Sequence, residues 1–163
     1  MILLFILNVS CSLHLVKVFG HDLYLCVENG ILLTLCKKNN ARPIFLEQYG
    51  LNSSEMVIHL AGSEKVFDIP ENGNYIATFP ESGSSSQLFH IRFIPLHKFK
   101  IMSYGMCLEY DLKCDCVMPK ECSNKNLQYY EVEPTEIFGF ELPDKFKGRP
   151  IIYYSSLSYL KSS

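Results

Sequence analysis

Three carboxylates recur at nearly even intervals along this 163-residue chain, in Cys26-Val-Glu28, Val66-Phe-Asp68 and Cys107-Leu-Glu109. Behind the second and third lie matching strings, Gln87-Leu-Phe89 and Gln128-Tyr-Tyr130, with Pro43-Ile-Phe45 as a worn counterpart of both. An acid at a turn has two uses. It can bind the backbone N–H groups of its own turn. It can also accept hydrogen bonds from vicinal hydroxyls of a sugar, provided an aromatic face takes the apolar side of the ring and an amide or similar polar group completes the set.

Other chemistry finds less support. His14, His21, His59, His90 and His97 are scattered, with no His-Glu-x-x-His string, no Gly-x-Ser-x-Gly elbow and no phosphate-cradling glycine loop, so no enzyme activity is expected. Cys107, Cys114, Cys116 and Cys122 are spaced unlike the Cys-x2–4-Cys pairs of structural zinc sites, so neither metal nor cofactor is expected. A net charge of -2 offers no basic surface for nucleic acid. No apolar run reaches the roughly 18 residues that a membrane-spanning helix needs.

The elements that must position the acids are strands. Short β-branched or aromatic runs bounded by Gly, Asn, Ser or Pro recur at Leu15–Phe19, Leu23–Val27, Ile31–Cys36, Ile44–Gln48, Met56–Leu60, Tyr75–Phe79, Leu88–Ile94, Phe99–Met102 and Gln128–Val132. The steps from Cys26 to Val66 to Cys107 are 40 and 41 residues, which marks a repeat of about four strands per unit and twelve in all. Each unit opens with a strand ending near a glycine (Phe19-Gly20, Ala61-Gly62, Tyr104-Gly105), followed by the acid-bearing turn. Units this small cannot bury their own apolar face, so they must share a core. Three units are too few for a propeller, which needs about 4–8 blades, and fit a three-lobed β-trefoil with Phe45, Phe89 and Tyr130 meeting inside.

Together these residues resemble the ricin-type lectin family of β-trefoils, in the acid turns and in a Gln-x-Trp softened here to Gln-x-Phe or Gln-x-Tyr, over about residues 15 to 134. The resemblance implies a turn acid, a third-strand aromatic and an Asn just before the Gln as sugar ligands. The second lobe then offers Asp68 and Phe79, with Ser86 where the Asn belongs. The third offers Glu109, Tyr110 and Asn126, with Leu127 before Gln128. The first offers Glu28, Asn29 and Asn40, with Arg42 and Pro43 in place of amide and Gln and Thr34 giving no ring. The resemblance also implies the disulfides Cys26–Cys36 and Cys107–Cys122. Cys114 and Cys116 remain, to pair with each other only under strain, in another arrangement or with a partner chain.

Residues 1–12, an apolar run closed by Ser10-Cys-Ser12, read as a secretory signal peptide, with a buried first strand as the other reading. Removal would leave six cysteines, an even number suited to disulfides in an exported chain, and Asn52-Ser-Ser54 is a glycosylation sequon. The expected organisation is a leader over 1–12, an all-β trefoil over 13–134 and a C-terminal extension over 135–163. The expected work is non-catalytic binding of glycans or glycoproteins outside the cell. The competing expectation is a protein-interaction or inhibitory module that kept the scaffold and lost its sugar sites.

Overall fold

The computed structural model describes residues 14–50 and 53–134. The expected leader, the C-terminal extension and the asparagine of the sequon lie outside the described residues.

Twelve strands form one connected sheet: β1 (His14–Val18), β2 (Tyr24–Glu28), β3 (Leu32–Cys36), β4 (Ile44–Gln48), β5 (Glu55–Leu60), β6 (Lys65–Asp68), β7 (Ala77–Pro80), β8 (Phe89–Ile94), β9 (Lys98–Ser103), β10 (Met106–Asp111), β11 (Cys116–Lys120) and β12 (Tyr130–Pro134). Antiparallel pairs β1–β12, β12–β9, β9–β8, β8–β5, β5–β4 and β4–β1 close a ring. Closure leaves none of these strands an unpaired edge, the hazard of any open sheet. The other six strands form the hairpins β2–β3, β6–β7 and β10–β11. Backbone bonds from Leu33 N–H to Ile76 O and from Ile76 N–H to Val117 O, at 3.0 and 2.7 Å, join the three hairpins to one another.

The expected glycines stand at the entries to these hairpins. Gly62 and Gly105 have φ of +72° and +74°, a region that a Cβ disfavours, so glycine lets the chain reverse tightly after β5 and β9. The acids themselves do not lie on turns. Glu28 and Asp68 end β2 and β6, and Glu109 lies within β10.

The shared core contains Val18, Leu25, Leu33, Ile58, Phe67, Ile76, Phe89, Ile101, Leu108, Val117 and Tyr130, all buried. Each such large apolar side chain contributes about 1.5–3 kcal/mol through removal from water. Tyr130 is wholly buried, and its hydroxyl donates to Leu108 O at 3.1 Å, so its polar tip is satisfied inside. Phe45 does not join Phe89 and Tyr130 there. Ile44 takes that place, and Phe45 lies buried on the other face of β4, stacked on His59 with centroids 4.7 Å apart and planes at 6°. The cause is register. Phe19 N–H bonds Tyr129 O and Ala61 N–H bonds Pro43 O, so Pro43 matches Tyr129 and the next residue, Ile44, matches Tyr130. One residue of slip in a strand sends a side chain to the opposite face.

Candidate functional site

Two glutamines at the ends of short 3-10 turns, Ser85–Gln87 and Asn126–Gln128, organise the acid positions. Gln87 Nε2 donates to Asp68 Oδ2 at 2.8 Å and to Pro80 O at 3.0 Å, and its Oε1 accepts from Ser82 N–H at 2.8 Å. Gln128 repeats the pattern with Glu109 Oε2 at 2.6 Å, Glu121 O at 2.8 Å and Ser123 N–H at 2.8 Å. Both amides are buried, and each uses both its oxygen and its nitrogen, as a buried amide must. Nothing in the sequence pattern announced the bond from each glutamine to its acid.

In the second repeat the residues expected from the sequence do come together. Asp68, Phe79 and Ser86 line one open cleft of about 500 Å3, with Ile69, Pro70, Glu71, Gly73 and Tyr104. The β6–β7 register sets Asp68 opposite Ala77 and Val66 opposite Phe79. Phe79 is partly exposed, at 37%, and lines the cleft, so part of its surface is open to a ligand. Gln87 occupies Asp68 Oδ2, and no donor among the described residues reaches Oδ1. The arrangement therefore combines a fixed acceptor, an open aromatic surface and a hydroxyl.

The third repeat closes the equivalent place. Cys107 faces Lys120 as Val66 faces Phe79, so a lysine stands at the level of the aromatic ring. Its ammonium bonds Asp111 Oδ2 at 2.7 Å. That bond and the Lys113 N–H hold the Asp111 carboxyl down at about 2, and the same contact raises the Lys120 pKa. Glu109 is only 7% exposed and committed to Gln128, with Lys125 Nζ 3.9 Å from its other oxygen. Tyr110 turns away to donate to Asp115 Oδ1, and this bond, with burial, pushes its phenol up to about 12. Asn126 is exposed, at the start of its 3-10 turn.

The first repeat differs more. Leu25, Phe67 and Leu108 face Leu35, Thr78 and Pro119, and the next positions, Cys26, Asp68 and Glu109, face Thr34, Ala77 and Met118. So Cys26, not Glu28, occupies the acid position, and Glu28 is exposed two residues further along β2. Cys36, opposite Tyr24, stands at the level of Phe79 and Lys120. The Cys26–Cys36 disulfide is absent: both are thiols. Cys26 faces Thr34 while Cys36 faces Tyr24, so the pair is diagonal across the hairpin. Diagonal neighbours lie roughly 7–8 Å apart, beyond the usual reach of a disulfide. Burial, first of all, raises the pKa of both thiols, and a hydrogen bond between them raises Cys26 further. The 3-10 turn Lys38–Asn40 begins soon after β3 ends at Cys36, without the longer loop that cradles Gln87 and Gln128.

Cys107–Cys122 is bonded as expected, and Cys114 pairs with Cys116. All four are thereby removed as metal ligands. A different donor set does assemble: Glu47, His59 and Glu81 bring ligand-type atoms within 4.8 Å of one another, and His59 Nε2 lies 2.8 Å from Glu47 Oε2. Nothing in the spacing of these residues announced it, because the β4–β5 pairing and the loop after β7 bring them together.

Neither Tyr104 nor Glu71 was evident as a site residue. Tyr104 belongs to the β9–β10 turn, outside the repeat that supplies the rest of the cleft.

No protein-family model matches the chain, and no curated protein sequence matches it. Solved structures do. "BEL beta-trefoil" superposes with a TM-score of 0.61 at 10% identity, over 77% of this chain and 94% of that one. A designed 3-fold symmetric protein, ThreeFoil, gives 0.64 at 14% identity, over 74% and 96%. A Polyporus squamosus lectin, solved with the epitope Neu5Aca2-6Galb1-4GlcNAc, gives 0.62 at 13%, over 77% of this chain and 49% of the lectin. The chain thus spans about half the length of that lectin. At these identities the similarity defines the fold, a β-trefoil, which the closed ring and three hairpins also describe. No helix among the described residues is long and apolar enough to cross a membrane.

Proposed function

We propose that this chain is a secreted, non-catalytic, ricin-type carbohydrate-binding β-trefoil of three pseudo-symmetric four-stranded lobes, with its glycan site in the second lobe. The observation that carries the reading is the cleft shared by Asp68, Phe79 and Ser86. Asp68 Oδ1 accepts a sugar hydroxyl, Phe79 takes the apolar face of the ring and Ser86 adds a polar contact. Gln87 serves as a positioning residue that fixes the carboxylate. Lobes one and three, with thiols at Cys26 and Cys36 and an ion pair at Lys120 and Asp111, contribute scaffold. Support also comes from the trefoil lectins among the structural neighbours. Affinity per site is weak because the cleft is open, and copies displayed together raise it.

A glycan array probed with the folded chain tests this, with Asp68→Asn and Phe79→Ala as controls. Glycan binding that both substitutions abolish is the expected result. A folded chain that captures no glycan sinks the reading in favour of the interaction module, which the loss of site chemistry in two lobes favours.

A further inference from the structure

We propose that the second-lobe cleft selects uncharged sugar termini, held between Phe79 and Tyr104, and that Glu71 turns anionic glycans away. The inference rests on the glycan-binding reading above and names the ligand class of that same site.

Three observations lead there. The first is charge. Two of the eight lining residues, Asp68 and Glu71, are carboxylates, and none is Lys, Arg or His. A sialic acid carboxylate or a sulfate ester entering this cleft meets like charge with no cation to receive it. At contact distances near a protein surface such repulsion amounts to kilocalories rather than tenths, before screening.

The second is the aromatic pair. Phe79 approaches from β7 and Tyr104 from the β9–β10 turn, and both line the same cleft. Tyr104 and Gly105 link Ser103 to Met106 with φ of +49° and +74°, the left-handed pattern of a tight two-residue hairpin turn. A turn this short has little freedom, so Tyr104 projects from a stiff base. Its hydroxyl also donates to Ser85 Oγ at 2.8 Å, which ties it to the 3-10 turn carrying Ser86 and Gln87. Tyr104 is nevertheless 64% exposed as a residue, so it has surface open to a ligand. Two aromatic surfaces suit a pyranose, which has apolar C–H faces, and do nothing for an anionic substituent, which the electron-rich ring face does not attract.

The third is the division of labour between the acids. Gln87 holds Asp68, which can therefore act as an oriented acceptor. Glu71 is exposed, in the loop between β6 and β7, and none of the hydrogen bonds or ion pairs among the described residues engages its carboxylate. It lines the cleft without a structural task, which leaves charge as its contribution.

The test compares lactose with 3'-sulfolactose, which differ by one sulfate ester, and with 3'-sialyllactose, whose added residue carries a carboxylate. Binding to the folded full chain is measured by saturation-transfer NMR and surface plasmon resonance. The expected result is binding of the neutral member, with its anionic partners weaker by about tenfold or more. Glu71→Lys narrows that gap to threefold or less, and Tyr104→Ala weakens the neutral ligand about tenfold while Tyr104→Phe retains most of it. Glu71 and Tyr104 are exposed, so these variants keep the fold, which circular dichroism verifies. Anionic glycans that bind as well as neutral ones, with binding still lost in Asp68→Asn, overturn this inference and leave the glycan reading standing. Absence of binding to these ligands and across the glycan array overturns both.

Discussion

Gln128 donates to Glu109 across 2.6 Å from a position 19 residues later, and Gln87 and Asp68 repeat the bond at 2.8 Å with the same separation of 19. The acid and the glutamine of each pair come from different strands and turns, so the bond locks the hairpin to the loop that returns to the ring. It serves two ends. In the third repeat it helps bury a carboxylate, and in the second it fixes one beside an open cleft.

The first expectation concerns that lock. Gln128→Ala leaves the Glu109 carboxylate, the Glu121 carbonyl and the Ser123 N–H without their buried partner. A stranded buried polar group costs about 1–3 kcal/mol, so urea denaturation should show a loss of at least that order. Gln87→Ala should cost less, because Asp68 is only partly buried and water can replace the amide. A Gln128→Ala variant as stable as the parent would show that the bond has no structural weight.

Thiol chemistry provides the second. Burial raises the pKa of Cys26 and Cys36, so their reactive thiolate fraction at pH 8 is smaller than that of an unperturbed cysteine. Iodoacetamide at pH 8, followed by peptide mass mapping, should find both residues labelled slowly in the native chain and promptly in urea. Cys26, the more buried, should be the slower. Native labelling at the rate of a free peptide thiol would contradict the burial of the two residues, and recovery of a Cys26–Cys36 disulfide would contradict the thiol assignment.

The third turns on pH. The folded Asp111 carboxyl is held at about 2, below its ordinary value of roughly 3.9. A depressed carboxyl contributes stability above its unfolded pKa, and that contribution disappears as pH falls through the folded value. The melting temperature of the parent should therefore fall between pH 4 and pH 2 more steeply than that of Asp111→Asn, which has already lost the ion pair with Lys120. The pair is only partly buried, so added salt should shrink the difference. Parallel curves for the two proteins would remove Asp111 from the acid-labile set.

Much of the strand content was legible in the sequence. Ile44–Gln48 came out with its observed bounds, and the other expected strands lie within a few residues of observed ones. Alternation and turn residues are local signals, and each strand carries its own. β6, β10 and β11 were less clear, because their acids and cysteines read as turns and spacers. The cleft at Asp68 was partly legible: Asp68, Phe79 and Ser86 belong to a single repeat, so their phase survives in sequence distance. The first repeat misled because its loops differ in length. Phe45 looked equivalent to Phe89 although Ile44 is, and Glu28 looked equivalent to Asp68 although Cys26 is.

By itself, then, the order of residues determined short strands with a period near forty over the described residues, since alternation, β-branched runs and tight glycine turns act over a few neighbours. Tertiary structure alone decided which carboxylate meets which glutamine, which cysteines bond, and that Tyr104 of one repeat walls the cleft of another. The reason is physical: these contacts depend on strand register and loop length across distant segments, and a shift of one residue in either exchanges a buried side chain for an exposed one.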